Sequence, residues 1–246
     1  MRRQHQHFLS SHLPLTIIPA PVGWEVWCSV PDDDYGSPFF LSYARAREGS
    51  ARPRDPDGQV GRFFHELAGN VGQLINLPPG VPAGFMDSEM RGGMWWTDEL
   101  MRAAGTCQVL IALLSARYLS SKWCRIEWHA FSQRTVRERQ GGNAFANQSC
   151  IIPVIWAPLP GPLPEHIEPR LIFSPAGDPS WRVPGHYQEN GVFGLMQMRY
   201  PKNSYHIVAW QLAKLIASIY HSQWTEHRFF RLPELCRDIW GDDHDC

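Results

Sequence analysis

Within residues 108–115, QVLIALLS, every position from Val109 to Leu114 is apolar. A strand with one wet face alternates apolar and polar residues, whereas a strand covered on both faces has no need to. The run therefore predicts a central strand of a parallel sheet, with helices packed on either side of it. Two shorter apolar runs, PFFLSYA upstream and CIIPVIW downstream, are bounded by polar segments and read as neighbouring buried strands. GFMD reads as a brief further strand with Asp87 at its carboxyl end.

The covering helices are visible as periods. Val60, Phe63, Phe64, Leu67, Val71 and Leu74 recur at helical spacing, as do Val208, Leu212, Leu215, Ile216 and Ile219 near the other end. Thr97 is placed to cap a helix over DELMRAAG, with Asp98 and Glu99 in the turn where acids suit the helix dipole. A further helix is expected from about Lys122 to Arg139. This alternation of strand and helix predicts an α/β fold, a doubly wound parallel sheet flanked by helices, in which ligands bind outside the carboxyl ends of the strands.

The expected organisation is an irregular N-terminal extension over residues 1–37, one domain over 38–222 and a tail over 223–246. Prolines and glycines dominate from Ala157 to Asn203, where RLIF is expected as a short edge strand. Lys and Arg together number 23 against 24 Asp and Glu, so bulk charge argues for neither nucleic acid nor an anionic membrane as partner. No apolar run approaches the length of a membrane span, and the apolar start of the chain is broken by His12, Pro14 and Pro19. Cys28, Cys107, Cys124, Cys150, Cys236 and Cys246 form no CxxC pair, so a zinc module is not expected. Cys107, Cys124 and Cys150 sit in or beside apolar runs, as small buried hydrophobes do, which fits a reducing, cytoplasmic setting.

The segment LLSARYLSSKWCRIEWHAF carries the most chemical information. At about 100° per residue, Arg125, His129, Ser132 and Gln133 share one side of the helix, while Cys124, Trp128 and Phe131 share an apolar face. Glu127 falls away from the polar side, between Trp123 and Phe131, near the mouth of the preceding strand. A glutamate serving solubility would lie with the polar residues, so Glu127 is either a buried cap or ion pair or a functional carboxylate. Ser115, Ser120 and Ser121 do not make a serine hydrolase, because no GxSxG elbow accompanies them. YARAREGS follows the first strand where a dinucleotide cofactor site would need GxGxxG, so any NAD bound here is expected as a substrate and not as a resident cofactor.

FFLSYA, then FMDSEMRGGMWWTDEL, then VLIALLSARYLSSKWCRIEW resemble in their order the Toll/interleukin-1 receptor (TIR) domain, a flavodoxin-like fold. The chain is most similar to the bacterial TIR-like proteins called FxsC, over roughly Phe39 to Ile155. Asp87, Gly93 and Trp96 match the family's second strand and following loop, and Ser115, Trp123, Cys124 and Glu127 match its third strand and next helix. In catalytic members the glutamate of WCxxE splits NAD+ between nicotinamide and ribose, and the resemblance carries that role to Glu127. It further implies Trp96 as a platform for an aromatic ring of the nucleotide, with Phe40, Ser42 and Arg45 lining the strand mouth and Arg45 available to a phosphate. Other TIR domains are the implied partners, through SEMRGGMWW, with activity dependent on self-association. The alternative is a non-catalytic assembly module of a signalling or peptide-maturation system, since one fold serves both ends.

Overall fold

A computed structural model describes residues 36–45, 56–86, 98–139, 149–165, 167, 171–175, 183–198, 203–231 and 235. Its elements in chain order begin with β1 (Phe39–Ser42), α1 (Pro56–Leu74), β2 (Gly84–Met86), α2 (Asp98–Thr106) and β3 (Val109–Leu114). They continue with α3 (Ala116–Ser120), α4 (Lys122–Ser132), β4 (Val136–Glu138), β5 (Ile151–Ile155), α5 (Val183–Gln197), α6 (Ser204–Ser222) and β6 (Gln223–Thr225). Four strands form a parallel sheet in the order β2-β1-β3-β5, so the apolar run is interior as its composition requires.

Alternation along each strand divides the core between the two faces. Val109, Ile111 and Leu113 of β3 join Phe39 and Leu41 of β1 under α1, α5 and α6. Leu110, Ala112 and Leu114 join Phe40 on the other face, under α2, α3 and α4. The α1 stripe is buried at Val60, Phe63, Leu67 and Val71, with Phe64 and Leu74 packed against its rim. Pro153 sits inside β5, yet its carbonyl faces the outer edge and accepts from the Phe173 N–H at 2.8 Å. A residue's N and C=O point to the same side of a strand, so the donor that proline lacks is one β3 never needed.

Three local expectations need correction. The helix expected to run to Arg139 stops at Ser132, and Val136–Glu138 instead pair antiparallel with Gln223–Thr225. Arg134 explains the break: its side chain is drawn inward to the carbonyls of Ala104, Cys107, Thr225 and Glu226, which a continued helix would not allow. RLIF forms no strand over its described residues, where Leu171 lies in a single 3-10 turn and only the Phe173 N–H reaches β5. The supposedly irregular stretch before Asn203 holds α5, kinked at Gly191, whose φ of 64° belongs to the left-handed region. A Cβ there would meet the Trp156 carbonyl oxygen at 2.6 Å, so glycine is required both by conformation and by space. In the segment from residue 223 onward, Gln223, Thr225, Phe230 and Leu235 are buried, whereas Trp224 is exposed. Among the described residues no helix is long and apolar enough to cross a membrane.

Candidate functional site

Ser42 ends β1, directly opposite Ala112 of β3, on the face that Phe40 also occupies. It is 1 % exposed, and its hydroxyl donates to Glu127 Oε2. Glu127 lies in the second turn of α4 and is 7 % exposed, so its carboxylate is withdrawn from solvent at the carboxyl end of the strands. Burying a charge is costly unless hydrogen bonds replace water, and the Ser42 donor supplies one replacement.

Two serines aim the helices that deliver this carboxylate. Ser115 follows β3 and caps α3, its Oγ accepting from the Tyr118 N–H at 3.1 Å. Ser121 caps α4 in the same way, accepting from the Cys124 N–H at 3.3 Å. Each cap satisfies an N–H that a helix start would leave without a partner. The same chain reversal brings Tyr118 inward, 3 % exposed, with its Oη 3.2 Å from Ser42 Oγ.

Electrostatics in this cluster favour one charge only. Burial first, then the neighbouring Cys124 and Glu127 side chains, push the Tyr118 phenol well above its usual range, against an opposing hydrogen bond with Ser42. Burial, then Glu127, likewise raise the Cys124 thiol, so it is a neutral packing group and no thiolate nucleophile. Among Ser42, Tyr118, Cys124 and Glu127, the hydroxyls and the thiol are thus neutral and the carboxylate is the group that carries charge. Such a group stabilises a cation developing on a ligand, because a charge in a low-dielectric site acts more strongly than in water.

The structure brings Ser42, Cys124 and Glu127 together, with Ser115 behind them as a cap. Phe40 is fully buried, its ring 5.3 Å from Phe85 and 5.7 Å from Phe131, and so belongs to the packing around the carboxylate. Trp123 is 40 % exposed at the start of α4, and Arg45 is half-buried three residues beyond Ser42. Asp87, Gly93, Trp96, Thr97 and the whole SEMRGGMWW segment lie outside the described residues. Tyr118 was not singled out by sequence reasoning. Its signal was the serine three residues before it, a cap that turns the chain at the strand end.

Compared with known families, residues 77–176 match the family model described as TIR domain. The matched segment runs from β2 through β5, hence includes Ser115, Tyr118, Cys124 and Glu127, while Ser42 precedes it. The similarity to a TIR domain thus covers this segment of the chain. No curated protein matches the chain.

Proposed function

We propose that this chain is a TIR-type NAD+ nucleosidase that cleaves the bond between nicotinamide and ribose, with Glu127 as the catalytic carboxylate. The observation carrying this reading is the withdrawn position of Glu127, 7 % exposed and bonded by Ser42 at the carboxyl ends of parallel strands. Ligands of such sheets bind at that end. Nicotinamide leaves as a neutral ring from a cationic one, so unlike an ordinary glycoside it requires no general acid. What requires help is the ribose, which acquires oxocarbenium character, and one carboxylate stabilises it by charge. NAD+ is then a substrate and no resident cofactor is involved. Arg45 is assigned to a phosphate and Trp96 to an aromatic ring of the nucleotide. Further members of this reading are kinship with the FxsC-like proteins and activation by self-association with other TIR domains.

The test is nicotinamide release from NAD+ by the purified chain over a range of concentrations. Release per molecule that rises with concentration and disappears in Glu127→Gln is the expected result. A Glu127→Gln protein that cleaves at the parental rate sinks the mechanism.

One observation favours a second reading. The Ser42–Glu127 bond ties α4 to the end of β1, as a purely structural carboxylate would. On that reading the chain is a non-catalytic TIR assembly module, and no release is seen even from clustered protein.

A further inference from the structure

We infer that Tyr118 is a positioning residue for Glu127, acting through Ser42 in a fixed hydrogen-bond relay that runs from the phenol to the serine hydroxyl to the carboxylate. The consequence for catalysis rests on the function proposed above, whereas the direction of the relay does not.

Proton accounting sets the direction. Ser42 Oγ lies within hydrogen-bond reach of both Tyr118 Oη and Glu127 Oε2, yet a serine hydroxyl carries a single proton. Tyr118 is 3 % exposed, and among the described residues Ser42 Oγ is the partner of its phenol oxygen. Were Ser42 to donate to Tyr118, the phenol proton would be left without an acceptor among the described residues and the carboxylate would lose the Ser42 bond. Tyr118 donating to Ser42, and Ser42 to Glu127, satisfies all three groups at once. Burial keeps the phenol protonated, so it remains a donor across the ordinary pH range.

Tyr118 is also held rigidly. Its backbone N–H is capped by Ser115, and its carbonyl accepts from the Ser121 N–H at 3.1 Å. The phenol therefore arrives from α3 and the carboxylate from α4, and they meet on a hydroxyl carried by β1. Without the phenol, Ser42 can turn and accept a hydrogen bond from a protonated Glu127, which favours the neutral carboxyl group. Of the titratable groups beside Glu127, Tyr118 comes from α3 and Cys124 from α4, and burial keeps both neutral.

The experiment is a pH titration of the Glu127 side-chain carboxyl by carbon-13 NMR, with the resonance assigned by its loss in Glu127→Gln. The full chain is compared with Tyr118→Phe, Ser42→Ala and the double variant. Tyr118→Phe removes one oxygen and should raise the Glu127 midpoint by about half a pH unit. Ser42→Ala should raise it at least as far, and the double variant should match Ser42→Ala, because Tyr118 acts only through Ser42. An unmoved midpoint in Tyr118→Phe, or a further shift in the double variant, overturns the relay. If Tyr118→Phe does not fold, 3-fluorotyrosine at 118 keeps the ring and strengthens the donor, and the midpoint should then fall; no fall overturns the relay.

Nicotinamide release is read in parallel. Tyr118→Phe should lower kcat roughly tenfold with KM unchanged, as expected for a group that orders the carboxylate and not the substrate. A shifted midpoint in a protein that never releases nicotinamide supports the relay and removes the proposed function. Release from the parent with an unmoved midpoint does the reverse.

Discussion

Two buried side chains of opposite charge, one on α4 and one just past its end, are held by different means. Arg134, just past the end of the helix, is 6 % exposed and donates to the backbone carbonyls of Ala104, Cys107, Thr225 and Glu226. Glu127, midway along α4, is 7 % exposed and accepts from a side-chain hydroxyl that is itself backed by a phenol. A cage of carbonyls belongs to the fold and cannot turn away, so Arg134 welds α2, the start of β3 and β6 together. The carboxylate is held instead by side-chain hydroxyls, so its surroundings can be altered by single substitutions that leave the main chain in place. The guanidinium is structural for this reason, although both groups are buried charges.

The comparison is tested most severely by Arg134→Met. Replacing a buried ion pair by apolar groups is often neutral because both charges vanish together, but here the partners are main-chain carbonyls that remain. Leaving several of them without a donor should cost about 3 kcal/mol or more, read as a lower midpoint in urea unfolding. A loss below about 1 kcal/mol would show that water replaces the guanidinium and that the cage is not a weld.

Glu127→Gln should behave in the opposite sense. The amide oxygen still accepts from Ser42, so stability should change by less than about 1 kcal/mol. Nicotinamide release, if the proposed function holds, should fall at least about 100-fold, equivalent to about 2.7 kcal/mol of transition-state stabilisation. A Glu127→Gln protein destabilised as severely as Arg134→Met would assign the carboxylate to the scaffold.

The cysteines beside the two groups respond to pH in the same direction. Burial raises the Cys107 thiol to about 12 and the Cys150 thiol to about 11, from an ordinary 9.0, although Arg134 beside both opposes the rise. Burial also raises Cys124. A raised thiol keeps its proton in the folded chain while the unfolded chain loses it, so this contribution is complete below pH 9.0 and declines as pH climbs towards the folded values. Each buried thiol should add about 1.4 kcal/mol of lost stability per pH unit in that window. Unfolding curves between about pH 9 and 10 should show this slope, lessened by one thiol's share in Cys150→Ala. A flat profile would mean that the thiols deprotonate in place.

The smallest effect is expected next door. Arg137 pairs with the Glu226 side chain while Arg134 holds the Glu226 carbonyl, but the Arg137 side chain is 58 % exposed. Solvent screens such a pair, so Arg137→Ala should change stability by less than about 0.5 kcal/mol. A larger loss would mean that the β4–β6 pairing itself depends on this bridge.

How much of this could be read in advance varied with the range of the forces involved. β1, β3, β5, α1 and α6 were legible because a buried strand or an amphipathic helix shows its burial in its own residues. α5 was hidden by Pro184, Gly185, Gly191 and Gly194, which read as breakers until the kink at Gly191 is seen to admit the Trp156 carbonyl. Arg134 reads as one more polar residue on a helix, because the carbonyls that draw it inward belong to segments distant in the chain. Glu127 was recognisable by its angle among apolar neighbours, and Ser115 and Ser121 by their place before helices. Tyr118 was not, since its value lies in a hydroxyl 76 residues earlier.

The sequence by itself determined that a parallel sheet would be covered on both faces and that a carboxylate on α4 would turn away from solvent, because both follow from the period of a single segment. Only the tertiary structure decided what that carboxylate would meet. The register of β1 against β3 sets Ser42 opposite Ala112, and the turn between α3 and α4 then places Tyr118 and Glu127 on either side of it. No local period encodes such a meeting, because it depends on how far each strand slides along its neighbour and where two capped helices start.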